Sequence, residues 1–188
     1  MKVTPTEIPD ILLLEPRLFY DERGYFMEFF SQRKLEALLP NIHFVQENQS
    51  LSGYGVLRGL HYQLPPFAQS KLVRVVLGSA LDVAVDIREG SPTFGKYVAT
   101  LLSKENHLMM YIPRGFAHGF LALEPNTIFQ YKCDNYYSPD HEASIAWDDP
   151  TIGVEWGMAR SKLIVSDKDK NLPSLMEAPH FLKDQKLY

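Results

Sequence analysis

The sequence predicts an all-β protein, an antiparallel sandwich or barrel with short peripheral helices. Three observations point there. From residue 44 onward, apolar and aromatic runs of five to eight residues follow one another, each closed by glycine, proline or a short polar cluster. No long helical pattern separates them, so parallel strand–helix–strand units are not indicated. In Leu81 to Ile87 the alternation is clean, with Leu81, Val83, Val85 and Ile87 on one side and Asp82, Ala84 and Asp86 on the other. One of those faces is apolar core, and the other is solvent or a polar cavity.

Taken in order, Ile11 to Leu14 is a short apolar run closed by Pro16, and Asp21-Glu22-Arg23-Gly24 is a charged turn. Tyr25 to Phe30 has the aromatic content of a strand. Ser31 is placed to cap a helix over Gln32 to Leu39, with Leu35, Leu38 and Leu39 on one face and Pro40-Asn41 ending it. Strands then follow at Phe44 to Asn48, Val56 to Gln63, Leu72 to Leu77 and Leu81 to Ile87. Four more are expected at Tyr97 to Leu102, Leu108 to Ile112, Phe116 to Leu123 and Ile128 to Cys133. After Tyr136-Tyr137-Ser138-Pro139 the chain reads as irregular, with Trp147 and Trp156 as anchors. The last segment, with Pro179-His180-Phe181, either packs on a partner subunit or frays.

A chain of 188 residues suits one domain, 1–188, able to bury roughly two thirds of its unfolded surface. A net charge of -4 argues against a nucleic-acid backbone or an anionic membrane as the main partner. Any anionic ligand must then be held by a few local cations. Cys133 is the single cysteine, which rules out an intrachain disulfide and zinc sites of paired thiolates, and suits a reducing cytoplasm. Pro5, Glu7, Pro9 and Asp10 interrupt any signal-peptide core, and no apolar run reaches membrane-spanning length.

The polar interruptions mark the candidate site. Val56 to Gln63, VLRGLHYQ, sets Arg58 and His61 into an apolar strand. An inward charge or imidazole costs several kcal/mol unless it is paired or hydrated, so something polar is expected opposite them. The two have opposite parity, and a regular strand would not turn both to one pocket. Gly59 offers a bulge that would. Taken singly, each candidate also has a plain reading. His61 fits a carbonyl-bonded core histidine, Lys71 a solvated edge lysine, His118 a loop histidine after Pro113-Arg114-Gly115. Tyr131 and Tyr137 fit packing aromatics, and Asp167 and Asp169 a charged exposed loop.

Pro113-x-Gly115-x-x-His118 resembles the second motif of the cupin superfamily, in which the histidine ligates a metal. The first cupin motif should then supply a His-x-His pair and a glutamate. Here the region offers His61, followed by Gln63 and Pro65-Pro66. Two histidines without a nearby carboxylate make a poor site for a catalytic first-row metal.

A larger set of motifs, in order along nearly the whole chain, resembles the dTDP-4-dehydrorhamnose 3,5-epimerase family. It comprises Asp21 to Gly24, Gln46-Glu47-Asn48, Leu57 to Gln63, Lys71 to Arg74, Asp82 to Asp86, Ser91 to Gly95, Ile112 to Phe120 and Asn135 to Pro139. The resemblance implies a cupin-type jelly roll, a homodimer, no metal or organic cofactor, and a dTDP-sugar substrate, dTDP-4-dehydro-6-deoxy-D-glucose, inverted at carbons 3 and 5. It implies His61 as base, Tyr131 as acid from the other ring face, Lys71 near the developing oxyanion and Asp169 holding the His61 imidazole. It implies substrate contacts at Arg23, Phe26, Glu28, Gln46, Asn48, Arg58, Glu142 and Lys168, with Tyr137 stacking on thymine and Asp82 and His118 shaping the sugar pocket. Two readings compete: a relative that inverts one carbon only, and a non-catalytic sugar-nucleotide-binding module on the same barrel.

Overall fold

A computed structural model describes all residues, Met1–Tyr188. Its strands in chain order are β1 (Lys2–Pro5), β2 (Leu12–Glu15), β3 (Leu18–Asp21), β4 (Gly24–Met27), β5 (Gln46–Ser52), β6 (Val56–Gln63) and β7 (Lys71–Leu77). There follow β8 (Ser79–Asp86), β9 (Tyr97–Ser103), β10 (Met109–Ile112), β11 (Phe116–Ala122), β12 (Thr127–Cys133), β13 (Glu142–Ser144) and β14 (Ile164–Val165). One sheet runs β1-β2-β10-β7-β12-β5, and the second runs β13-β6-β11-β8-β9 with β14 added on β6. All neighbours are antiparallel except β14, which lies parallel to β6. β3 and β4 form a separate hairpin. The architecture is the two-sheet, unclosed form of a cupin-type jelly roll.

Three apolar layers hold it together. Between the sheets, Val73 and Val75 of β7, Met110 and Ile112 of β10 and Phe129 of β12 meet Ala84 of β8 and Phe116 and Phe120 of β11. Phe120 and Phe129 stack with centroids 4.0 Å apart. The outer face of the second sheet is covered by the chain after Pro139: Ile145, Trp147, Trp156, Leu175 and Phe181 pack on Leu57, Leu60, Val83, Val85 and Leu121. The outer face of the first sheet is covered by Leu35 and Ile42 over Leu14, Leu72, Met109 and Tyr111. Burying a side chain of this size is worth about 1.5 to 3 kcal/mol.

This layering revises two expectations. In β8 and the residue after it, Val83, Val85 and Ile87 lie under the C-terminal segment, while Asp82, Ala84 and Asp86 face the space between the sheets. Both faces are therefore buried, and both carboxylates are fully enclosed. Asp86 accepts from Arg88 Nε and Nη2 and from the Ser91 and Thr93 hydroxyls, which fastens the Ser91 to Gly95 turn. Burial alone would raise its pKa, but these bonds outweigh it and hold the group below the usual carboxylate range. The tail is also more ordered than its composition suggested. β13 and β14 both pair with β6, Trp156 Nε1 donates to the Trp147 carbonyl, and Phe181 is 1% exposed on this chain's own core.

The helix is shorter than expected. It spans Gln32–Glu36, and Ser31 stands at its N-terminus without a capping side-chain bond. Leu35 is buried and Leu39 partly so, while Leu38 is 37% exposed, so a continued helix would gain little packing on that face.

The parity conflict in β6 is resolved at Gly59. His118 of β11 pairs with His61 and Phe120 pairs with Arg58, so three steps on β6 oppose two on β11. The extra residue turns Arg58 and His61 to the same side. Gly59 has φ +140°, and a Cβ there would lie 2.5 Å from the Gly119 Cα. Gly59→Ala is expected to lower stability by at least ~2 kcal/mol and to lose most activity, read by thermal melting and steady-state kinetics. A variant of unchanged Tm and rate would show that the bulge is dispensable.

Candidate active site

Strands β5, β6, β7, β11 and β12, with the tail, bring the site together at one end of the space between the sheets. A cavity of about 490 Å³ is lined by Arg58 and His61 from β6, Lys71 from β7, His118 from β11, Tyr131 from β12 and Asp169 from the distant tail. A smaller cavity of about 100 Å³ shares His61, Lys71 and Tyr131 and adds Gln46, Asn48, Tyr137 and Glu142. The two together form an elongated site with a sugar-sized chamber and a side arm.

His61 Nε2 lies 2.7 Å from Asp169 Oδ1. Asp169 sits in a single helical turn, Lys168–Lys170, and its backbone N–H meets the Ser166 carbonyl and hydroxyl. It is not an exposed loop residue: it is 4% exposed, whereas the neighbouring Asp167 is open to solvent. Burial pushes the Asp169 pKa up, but the bond to His61 and the Ser166 contacts outweigh it and keep the carboxyl ionised. With Nε2 donating to that carboxylate, Nδ1 of a neutral His61 carries a free lone pair.

A second pair lies beside the first. His118 Nε2 is 2.7 Å from Asp82 Oδ1, and His118 is 7% exposed with Asp82 fully enclosed. Burial draws the His118 pKa down despite Asp82, so its imidazole is neutral at pH 7. Asp82 stands behind His118 and does not line the cavity itself.

Lys71 opens β7, which lies between β10 and β12, so it is not on a sheet edge. Its ammonium is 5.9 Å from the centroid of the Tyr131 ring. Burial pulls the Lys71 pKa below the free value, with the fields of Cys133, Asp82 and Glu142 opposing that shift. Burial also raises the Tyr131 pKa, so the phenol keeps its proton at neutral pH. Lys71 and the protonated Tyr131 phenol thus stand on one sheet, and the His61 imidazole stands on the other.

The side arm is a polar lattice. Tyr137 Oη and Lys168 Nζ both donate to Glu142 Oε2, at 2.9 and 2.7 Å. The Tyr137 N–H donates to Gln46 Oε1, and Gln46 Nε2 donates to Asn48 Oδ1. The Tyr137 ring is half exposed and free to stack. Arg58 Nε donates to Ser52 Oγ and Nη2 to the Leu51 carbonyl, which leaves the rest of its guanidinium for an anion.

Three residues that the sequence assigned to substrate lie elsewhere. Arg23 pairs with Asp21 within the β3–β4 turn, Phe26 is 69% exposed on that hairpin, and Glu28 pairs with Lys34. None lines either cavity of this chain, because the hairpin is separate from both sheets. Conversely, Gln49, Ser50, Ile164 and Val165 line the main cavity and escaped the sequence reading. Two β-branched residues in a polar tail were too short a run to register as a strand. The inward row of β5 is marked only by alternating polar residues.

The model for dTDP-4-dehydrorhamnose 3,5-epimerase matches residues 5–177. The chain is 51% identical over 183 residues to the dTDP-4-dehydrorhamnose 3,5-epimerase of Shigella flexneri, covering 97% of this chain and 100% of that one. It resembles the crystal structure of the 3,5-epimerase RmlC from Legionella pneumophila in complex with dTDP-4-keto-L-rhamnose. The TM-score is 0.89 and the identity 45%, with 93% of each chain covered. It also resembles ChmJ, a 3'-monoepimerase from Streptomyces bikiniensis in complex with dTDP-quinovose, at a TM-score of 0.84 and 32% identity, covering 92% of this chain and 87% of that one. The protein therefore belongs to the dTDP-4-dehydrorhamnose 3,5-epimerase family.

Proposed function

We propose that the chain inverts carbons 3 and 5 of dTDP-4-dehydro-6-deoxy-D-glucose to give dTDP-4-dehydro-L-rhamnose. The observation that carries this reading is the joint placement of a carboxylate-held imidazole, a protonated phenol and an ammonium around one chamber. Binding alone requires no acid and base around one ring, which sets aside a purely binding module. The ketone at carbon 4 acidifies the hydrogens on both neighbouring carbons. His61 Nδ1 takes a proton from carbon 3 or 5 and the bonding pair moves toward the carbonyl oxygen, giving an enolate. Lys71 stabilises the oxygen's charge. The Tyr131 hydroxyl returns a proton to the same carbon from the opposite face, and solvent restores both residues. Asp169 fixes the ring and tautomer of His61, as the carboxylate of a catalytic triad does.

Arg58 is read as a diphosphate or sugar contact, and Gln46, Asn48, Tyr137, Glu142 and Lys168 as the nucleoside arm. Arg23, Phe26 and Glu28 fit that arm only if the β3–β4 hairpin reaches into a second copy, which supports a homodimer. No helix of the chain is long and apolar enough to cross a membrane. The single buried thiol accords with a cytoplasmic setting.

The cupin superfamily suggests a metal, but the donor set does not fit one. His61 and His118 are each committed to their own carboxylate, and no group of three His, Cys, Asp or Glu side chains is placed to hold an ion. Activity is expected to be unchanged after exhaustive dialysis against a chelator. A loss restored by added metal would refute the enolate scheme as drawn.

The product distinguishes the reading from its closest alternative. Proton NMR of the sugar after turnover should show inverted configuration at both carbons 3 and 5. Inversion at one carbon would make the protein a monoepimerase, as the name of the Streptomyces bikiniensis relative describes that enzyme.

A further inference from the structure

The inward face of β5 carries four polar residues in a row, Gln46, Asn48, Ser50 and Ser52. Three have partners within the protein. Gln46 and Asn48 are bonded to one another, and the Ser52 hydroxyl accepts from Arg58 Nε. Ser50 is the exception: its hydroxyl is shielded from solvent and has no hydrogen-bond partner. A shielded polar atom left unpaired is destabilising, so each such atom in a folded protein calls for a reason.

The position of Ser50 supplies one. It lies opposite Phe129 on β12, two residues along from the Asn48–Tyr131 pair, and lines the same chamber as His61, Lys71, His118 and Tyr131. Asn48 lines the side arm and Ser50 the sugar chamber, so β5 runs from one to the other. No bond holds the Ser50 rotamer, and rotation about χ1 carries the hydroxyl to another staggered position at little cost.

We infer that Ser50 is a substrate-specificity residue that hydrogen-bonds the hydroxyl on carbon 2 of the sugar; this rests on the epimerase reading above. The ring bears two free hydroxyls, on carbons 2 and 3. The one on carbon 3 changes faces when that carbon inverts, so a single fixed partner on one strand cannot serve it in both substrate and product. The one on carbon 2 keeps its configuration throughout. A neutral contact of this kind is a uniform binding interaction, which acts on kcat/KM chiefly through KM.

The test compares wild type, Ser50→Ala and Ser50→Cys on the normal ketosugar nucleotide and on its 2-deoxy analogue, with thermal melting alongside. Both variants should lose roughly 3- to 10-fold in kcat/KM on the normal sugar and nothing on the analogue. Ser50→Ala should melt no lower than wild type, because it removes an unpaired polar group. Undiminished kcat/KM on the normal sugar would overturn the assignment. So would an equal loss on both substrates, with or without a lower Tm, since that marks a structural role. Failure of the wild type itself to turn over the normal sugar would instead sink the epimerase reading, a separate result.

Discussion

His61→Asn is expected to lower kcat by about 100- to 10,000-fold, the usual contribution of a positioned general base. Asparagine retains a polar side chain toward Asp169 but has no lone pair basic enough to take a proton from carbon. The chamber walls are contributed by five strands and the tail, so the fold should survive with its Tm changed by no more than a few degrees. Affinity for dTDP should be unchanged, because the nucleoside arm rests on Gln46, Asn48, Tyr137, Glu142 and Lys168. Steady-state kinetics with calorimetric titration of dTDP reads both quantities. A variant that bound dTDP normally and kept its rate would remove His61 from the chemistry.

Lys71→Ala is expected to cost nearly as much. A fixed donor at a developing oxyanion commonly contributes roughly 3 to 4 kcal/mol, or about 100- to 1,000-fold in kcat. The pH dependence adds a sharper signature. Burial sets the Lys71 pKa below the free lysine value of 10.5. The enolate needs the charged form, so activity is present below the folded pKa and falls as pH rises through it. The alkaline limb of kcat should therefore begin lower than for a solvent-exposed lysine. Tyr131 shifts upward and loses its proton later. In Lys71→Arg the guanidinium stays charged across that range, so whatever activity remains should have a flatter alkaline limb. An unaltered limb in that variant would assign the titration to another group.

Much of this arrangement was legible in the chain, for a local reason. β6 was readable to the residue because an apolar strand interrupted by Arg58 and His61 is costly unless a polar chamber lies opposite. The order of β5 to β12 followed from turn chemistry between short apolar runs, with no end displaced by more than four residues. What stayed hidden depends on packing between distant segments. The enclosure of Asp82 and Asp86 could not be read from alternation, because period two separates the faces of a strand without saying whether both are covered. Asp169 looked like a solvated loop residue until the tail folded against β6 and buried it. The pairing that turns Arg58 and His61 to one side needed the partner strand, since Gly59 permits a bulge and Gly119 makes room for it. Arg23, Phe26 and Glu28 were named from the resemblance and line neither cavity of this chain, because the β3–β4 hairpin and the residue after it stand apart from both sheets.

The most direct test of the account is solvent-isotope incorporation during turnover of dTDP-4-dehydro-6-deoxy-D-glucose in deuterated water. Wild type should place deuterium at both carbon 3 and carbon 5, and His61→Asn should incorporate it at neither above the uncatalysed rate. Inverted product without deuterium, or undiminished labelling by His61→Asn, would contradict proton transfer at His61.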